Sequence, residues 1–217
     1  MRLALEWIPE NDAPPPQLLV LLHGAGGRGA LMRPLAEALR ARFPRAAILA
    51  PDAPQPFDGG GRGRQWVSES DDSAPAVDAL HAWLQGQQAR LGIDAQVIAL
   101  AGFAQGASLA LELALRHDGA VGRVLAFGGR FARLPEAAPR RTTLHLLHGG
   151  ADAVIPADHA RQALRHLGVL HGDATLDIAQ GVGHELHPAL IDSALFRLTN
   201  HIPHRTWRAA LGQVDPT

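Results

Sequence analysis

The sequence predicts an α/β fold, in which a mostly parallel central sheet carries helices on both faces. Short apolar runs recur along the chain, and most are followed by turn residues and then by apolar residues at helical spacing. The run from Gln96 to Ala101 is apolar almost throughout, as is typical of a strand buried on both faces. A chain of 217 residues can bury one sizeable core. We therefore expect a single domain over residues 1–217.

The same pattern assigns the individual elements. An opening strand, Leu3 to Ile8, is expected to lie antiparallel at a sheet edge. The other strands are expected at Leu18 to Leu22, Ala46 to Ala50, Gln96 to Ala101, Val121 to Phe127, Thr143 to Leu147 and Thr175 to Ile178. Helices are expected around Leu31 to Leu39, at Ala74 to Arg90, Ala107 to Leu115, Ala157 to Leu167 and Pro188 to Asn200. Residues 201–217 are expected to form a short helix or a loose tail.

Composition excludes several classes of protein. Apolar residues make up 47% and charged residues 19%, and the formal net charge is −1, which argues against disorder, nucleic-acid binding and attraction to an anionic membrane. The chain has no cysteine, so disulfides and thiolate metal sites are impossible. No apolar run has the length of a signal peptide or a membrane span. We expect a soluble, cytoplasmic protein, and no surface pattern predicts its oligomeric state.

The segment G-F-A-Q-G at 102–106 is the strongest local signal. It joins the strand Gln96 to Ala101 to a very apolar helix, and it differs from the nucleophile elbow G-x-S-x-G only at Ala104. In that elbow the central residue sits on a strained turn, and the residues two before and two after must lack bulk. Gly102 and Gly106 occupy those positions. The pentapeptide alone is also compatible with an ordinary strand-to-helix turn.

An acid and a histidine follow the elbow in the order that this motif requires. Asp152 lies in H-G-G-A-D-A-V-I-P, just past one expected strand, and His184 lies in G-V-G-H-E-L, just past the next. The carboxyl ends of parallel strands meet at one sheet edge, so three distant segments are expected to converge there. Asp152 could instead be a turn residue or helix cap, and His184 a surface histidine. His187 is a competing base, but its place beside Pro188 favours a capping role.

Two backbone amides are candidates for stabilising a developing oxyanion. The amide of Gln105 follows the elbow residue directly, and H-G-A-G-G supplies that of Ala25, where Gly24 and Gly26 let the backbone turn its donors inward. A phosphate-binding role for this glycine-rich loop is disfavoured, because the G-K-[ST] ending and the G-x-G-x-x-G spacing are both missing. The glycine- and proline-rich stretch at 53–66 is either a flexible linker or a functional surface loop.

The combined motifs L-L-H-G-A-G, G-R-Q-W, G-F-A-Q-G, H-G-G-A-D-A-V-I-P and G-V-G-H resemble those of the phospholipase/carboxylesterase family of the α/β-hydrolase fold, which includes the acyl-protein thioesterases. The resemblance runs from about Leu18 to Asn200. It implies hydrolysis of small-molecule carboxylic esters or thioesters by a serine–aspartate–histidine triad, with no cofactor and no metal. It also implies substrate contacts by His23, Gln65 and Trp66, although Trp66 could instead anchor a long loop on the core.

The chain departs from the family at the nucleophile. Ala104 stands where the family carries serine, and alanine has no oxygen with which to attack a carbonyl. We therefore expect the chain as written to be inactive. Two explanations are open, an engineered replacement and a natural pseudoenzyme that binds an acyl or ester ligand, and the retained Asp152 and His184 favour the first. Ser108 lies one helical turn further on, where it is expected to point away from the elbow.

A metal hydrolase is the remaining alternative. It would use some of the clustered polar residues His145, His148, Asp152, His184 and His187. His145 and His148 lie three apart at the end of one expected strand, so their side chains point to opposite faces and could not share one ion without a bend. The spacing therefore disfavours a metal site.

Overall fold

A computed structural model describes residues 1–10 and 13–212 of the chain. Its centre is a sheet of seven strands in the order β1-β3-β2-β6-β7-β8-β9, in which β1 is antiparallel to its neighbour and every other pair is parallel. A separate two-stranded hairpin is formed by β4 and β5. The strands are Leu3–Trp7 (β1), Leu18–Leu22 (β2), Ala47–Pro51 (β3), Gln55–Pro56 (β4), Arg64–Gln65 (β5), Ile98–Phe103 (β6), Arg123–Phe127 (β7), Thr143–Gly149 (β8) and Ala174–Ala179 (β9).

The mostly parallel sheet and its antiparallel edge strand β1 are confirmed. Two strands start two residues later than predicted. Residues 95–97 form a short 3₁₀ turn, so β6 starts at Ile98 rather than Gln96, and β7 starts at Arg123 rather than Val121. Strand β6 then continues to Phe103 and leads directly into the elbow. The β4–β5 hairpin was not predicted, because its two-residue strands are too short to give an alternating pattern.

Helices cover both faces of the sheet, as predicted. They are Arg33–Arg42 (α1), Ala74–Leu91 (α2), Gln105–Arg116 (α3), Asp158–Val169 (α4), Pro188–Asn200 (α5) and His204–Ala210 (α6). Two apolar layers result. Leu18, Val20 and Leu22 of β2 belong to the layer under α2, α3 and α4, whereas Leu19 and Leu21 belong to the layer under α1 and α5. This alternation explains why β2 is apolar at every position.

The final segment contains the short helix α6, which was one of the two expected outcomes for 201–217. Residues 213–217 of that segment lie outside the described residues. Within the described part of the chain, no helix is both long and apolar enough to span a membrane.

Candidate active site

The elbow residue Ala104 has a strained backbone. Its φ of 51° and ψ of −112° are rare for a residue with a side chain. Its amide donates to the carbonyl of Phe127 at the end of β7, at 2.9 Å, and α3 begins at the next residue. A strand, one strained residue and a helix therefore follow one another without a loop, which is the local geometry that presents a nucleophile.

The two flanking glycines are required by close backbone contact. A Cβ on Gly102 would lie 2.3 Å from the carbonyl carbon of Gly106, and a Cβ on Gly106 would lie 2.4 Å from the carbonyl oxygen of Leu22. These distances are far below van der Waals contact with rigid backbone atoms. The elbow therefore excludes every side chain at both positions, so an ordinary turn with two incidental glycines does not describe this segment.

Asp152 and His184 lie together at the carboxyl ends of β8 and β9. The imidazole Nδ1 of His184 is 2.7 Å from Oδ2 of Asp152. The two loops that carry these residues are joined by the amide of Ala151, which donates to the carbonyl of Val182 at 2.9 Å. The side chain of Asp152 is only 1% exposed, whereas that of His184 is 17% exposed. Asp152 is thus shielded from solvent, whereas the ring of His184 is partly exposed.

The surroundings of Asp152 favour its ionised form. Burial by itself would raise the pKa of this carboxyl, but hydrogen bonds from His184 and from the amides of Ile155 and Val154 outweigh it and hold the pKa below its ordinary value. A carboxylate only accepts hydrogen bonds, so Nδ1 of His184 carries a proton, which leaves Nε2 as the ring nitrogen that can accept one. No described residue forms a hydrogen bond with that Nε2.

Several contacts bring the His184–Asp152 pair to the elbow. The ring of Phe103, the residue before Ala104, lies 4.8 Å from that of His184. Gly128, which follows the carbonyl that binds the Ala104 amide, has a φ of +56°, and a Cβ there would lie 3.4 Å from the imidazole. Gly128 is a site residue that sequence reasoning missed. The signal was the pair Gly128-Gly129 directly after the strand Arg123–Phe127, at the same sheet edge.

The two expected oxyanion donors lie beside the elbow with no acceptor of their own among the described residues. The amide of Gln105 is the first of α3 and has no intrahelical partner. In the glycine loop the amides of Gly26 and Gly27 are bonded to other carbonyls, whereas that of Ala25 is not. A Cβ on Gly24 would lie 3.3 Å from the Cβ of Ala104, so this loop passes directly next to the elbow.

His23, Gln65 and Trp66, the three expected substrate contacts, are all at most 2% exposed. The indole Nε1 of Trp66 donates to the carbonyl of His23 at 2.7 Å, and Nε2 of His23 accepts from the amide of Ala53 at 3.0 Å. The Trp66 amide in turn donates to the side-chain Oε1 of Gln105 at 2.8 Å. Trp66 therefore anchors the long loop on the core, which is the second of the two roles considered for it.

Gln65 also bonds to protein atoms rather than facing a cleft. Its Oε1 accepts from the amide of Asp58 at 3.1 Å, and its Nε2 donates to the hydroxyl of Ser68 at 2.9 Å. The segment 53–66 is thus an ordered hairpin tied to the active-site edge, and the flexible-linker alternative is wrong.

Of the other candidate residues, His148 contacts Asp152, with its Nε2 3.5 Å from Oδ2, whereas His187, Ser108 and His145 have other partners. His187 caps α5, where its ring accepts from the amide of Ala189 at 3.2 Å. The Ser108 hydroxyl accepts from the amide of Arg130 at 3.1 Å. His145 contacts His201 with ring centroids 5.0 Å apart, and its Nδ1 is 2.8 Å from the hydroxyl of Thr175. Within the described residues no three histidine or carboxylate side chains are grouped as metal ligands.

Comparison with known proteins identifies the family of the chain. The phospholipase/carboxylesterase family matches residues 4–202. The chain belongs to that family. Esterase YpfH of Escherichia coli (strain K12) is 37% identical over 94% of this chain and 91% of its own length. The crystal structure of esterase PE8 superimposes with a TM-score of 0.79 at 29% identity, covering 93% of this chain and 100% of that one.

Membership of the phospholipase/carboxylesterase family makes the chain a carboxylesterase- or thioesterase-type hydrolase and accounts for its α/β-hydrolase fold. One relative differs in its name. A protein of Oryza sativa subsp. japonica, described as a probable inactive carboxylesterase, is 26% identical over 93% of this chain and 91% of its own length.

Proposed function

We propose that this chain is a serine esterase held inactive by the replacement of its nucleophile with Ala104. The observation that carries the proposal is the strained backbone of Ala104, with a φ of 51°, at a position flanked by two free amides and by the His184–Asp152 pair. Strain of this kind costs free energy, on the order of 1–3 kcal/mol, and is found where a reactive side chain must be presented. An alanine makes no use of that presentation, so a site built for a hydroxyl is the simplest explanation.

The mechanism applies to the variant Ala104→Ser. Nε2 of His184 takes the hydroxyl proton while the oxygen attacks the ester carbonyl, and Asp152 stabilises the imidazolium that forms. The carbonyl oxygen gains negative charge and accepts from the amides of Ala25 and Gln105. The tetrahedral intermediate then collapses, the ester C–O bond breaks, and His184 returns the proton to the leaving alcohol. Water, deprotonated by His184, attacks the acyl-enzyme and releases the acid.

An apolar pocket next to His184 is the proposed place for the acyl chain. Its apolar lining consists of Leu31, Met32, Phe103 and Leu186, and the Ala25 loop forms another wall. Leu31 is 66% exposed, so this wall is open to solvent and would accept chains of short to medium length. A thioester carbonyl would be attacked in the same way, and the reaction then breaks the C–S bond instead.

A pseudoenzyme that binds an acyl or ester ligand without turnover is the second candidate. Ala104 itself favours it, together with the relative whose name describes an inactive carboxylesterase. The retained His184–Asp152 hydrogen bond favours an engineered replacement, since binding without turnover needs no proton acceptor. The two free amides fit either candidate, because they can also bind the carbonyl oxygen of a ligand.

Hydrolysis of p-nitrophenyl esters from acetate to octanoate tests the proposal. The chain as written should show background rates, and the variant Ala104→Ser should gain a factor on the order of a million in kcat. The control Gly86→Ser adds a hydroxyl at an exposed position of α2 and should stay at background. If Ala104→Ser remains inactive on every ester and thioester tried, the esterase proposal fails and the pseudoenzyme gains support.

A further inference from the structure

His148 lies just before the loop that carries Asp152, and its side chain contacts that loop. It lies near the end of β8, paired in register with Ile178 of β9, and its side chain is 1% exposed. Its Nε2 is 2.7 Å from the carbonyl oxygen of Ile155 and 3.5 Å from Oδ2 of Asp152. The mechanism above gives this residue no task, although it stands against the carboxylate oxygen that receives His184.

The proton on His148 is fixed by its partner. The Ile155 carbonyl can only accept, so Nε2 of His148 is the donor. Burial lowers the pKa of His148, although the Ile155 carbonyl and Asp152 act in the opposite direction, so the ring is neutral near physiological pH. A single N–H group is therefore directed at the Ile155 carbonyl and lies next to the Asp152 carboxylate.

The contact closes the turn that carries the acid. Oδ1 of Asp152 accepts from the amides of Val154 and Ile155 at 2.9 and 2.8 Å, which holds the carboxylate from one side of the turn. His148, fixed in the sheet, holds the Ile155 carbonyl from the other side. The turn is thus closed internally by Asp152 and held against β8 by His148, and Oδ2 of Asp152 is left facing His184 at 2.7 Å.

We propose that His148 is a positioning residue, which acts through Asp152 by keeping its carboxylate within hydrogen-bond distance of His184. The proposal deepens the esterase function proposed above and rests on it for its kinetic consequence. It makes no claim that His148 touches the substrate, because the ring lies behind Asp152, whose side chain is itself only 1% exposed.

The test compares two amide replacements of different reach. Glutamine can place its N–H₂ group near the position of the histidine Nε2, whereas asparagine ends near the position of Nδ1 and cannot reach the Ile155 carbonyl. In the Ala104→Ser background, His148→Asn should lower kcat about tenfold, the factor equivalent to one lost hydrogen bond, with KM changed by less than about twofold. His148→Gln should restore most of kcat.

A spectroscopic readout separates this proposal from the esterase proposal. In the chain with Ala104, the proton shared by His184 and Asp152 should give a far-downfield ¹H NMR resonance, which His148→Asn should shift or broaden and His148→Gln should retain. This measurement needs no catalysis, so it decides the positioning role even if Ala104→Ser proves inactive. Should His148→Asn fail to fold, His148→Met keeps the volume, lacks the donor and takes its place.

His166 provides the matched control. Its Nε2 lies 2.7 Å from the carbonyl of Pro135, the same kind of contact at a site on α4 outside the cleft. His166→Asn should lower the melting temperature while leaving kcat and the His184 resonance unchanged. The proposal is overturned if the asparagine and glutamine variants of His148 both match the parent, or if both lose kcat equally while the His184 resonance stays in place.

Discussion

Two histidine–aspartate pairs lie at opposite ends of the sheet and differ in what surrounds them. At the carboxyl ends of the strands, Nδ1 of His184 is 2.7 Å from Asp152, and at the amino ends Nε2 of His201 is 3.0 Å from Asp173. Both histidines are mostly buried, at 17% and 15% exposure. Only the first pair lies beside a strained elbow and free amides. A hydrogen-bonded His–Asp pair is therefore not in itself an active site.

The partners of Asp173 give that pair a different task. Its Oδ2 accepts from the hydroxyl of Thr143 at 2.6 Å and from the amide of His204 at 3.0 Å. These bonds join the starts of β8 and β9 to the first turn of α6. The guanidinium of Arg123 donates to the carbonyls of Arg197 and His201 in the same region. The amino-end pair thus fastens the final helix to the sheet.

Replacement of each aspartate by asparagine should give the largest difference in activity between the two pairs. In the Ala104→Ser background, Asp152→Asn should lower kcat about 10⁴-fold, because the imidazolium loses its partner and the ring its tautomer. Asp173→Asn should change kcat by less than about threefold and lower the melting temperature instead, since a buried charged hydrogen-bond acceptor is lost. Steady-state kinetics and thermal unfolding of both variants check this. Equal losses of kcat would contradict the comparison.

Substitution of alanine for one glycine at each end of the sheet tests the same comparison. A Cβ on Gly106, at the carboxyl end, would meet the Leu22 carbonyl at 2.4 Å, and one on Gly122, at the amino end, would meet that of Gln96 at 2.2 Å. We expect each alanine variant to lose about 3 kcal/mol of unfolding free energy. Only Gly106→Ala should also lower the kcat of the folded Ala104→Ser protein, because only that contact shapes the elbow.

The control for this pair is Gly86→Ala. Gly86 lies within α2, and apart from the adjacent residues and the nearby helix backbone no atom comes within 4 Å of the Cβ position. Alanine there should raise the free energy of unfolding by about 0.5–1 kcal/mol, because helical glycine is entropically costly. Urea unfolding measures all three variants, and a stable Gly106→Ala protein would show that the elbow tolerates bulk.

The amino end should also make the stability of the protein depend on pH through His145. Burial lowers the pKa of His145 to about 3, so between its ordinary value and that value the unfolded chain binds a proton that the folded chain does not. The free energy of unfolding therefore decreases as the pH falls from about 6.5 towards about 3, because protonation of His145 favours the unfolded chain. We expect about 2 kcal/mol of loss between about pH 7 and about pH 5. His145→Leu should flatten this slope, and an unchanged slope would contradict it.

The proximity of the three candidate site residues was predictable from sequence because parallel strands bring their carboxyl ends together. The glycine spacing around Ala104 and the placement of Asp152 and His184 after later strands therefore sufficed to name these residues as neighbours. The interpretation of Trp66 could not be settled in this way, since an indole in a glycine-rich loop can face inwards or outwards. Its hydrogen bond to the His23 carbonyl depends on a hairpin that sequence periodicity does not encode.

His148 illustrates the same limit. The sequence places it three residues from His145 and four from Asp152, which suggested only a metal ligand. Its actual partner, the carbonyl of Ile155, is created by a turn whose shape depends on the Asp152 side chain itself. Every residue has a backbone carbonyl, so residue type does not show which carbonyl accepts a given hydrogen bond. Contacts of this kind can be identified only from the folded turn.

The β4–β5 hairpin gives this molecule room to change without disturbing its chemistry. Its base is bound to the glycine loop, because the amide of Gly26 donates to the carbonyl of Arg64 at 2.9 Å. Its tip, Gly60 and Gly61, is exposed, and Cβ atoms there would meet nothing within 4 Å. Added residues at such a tip are tolerated well. A longer tip would therefore extend the hairpin into solvent while its base stays bonded to the Gly24–Gly27 loop.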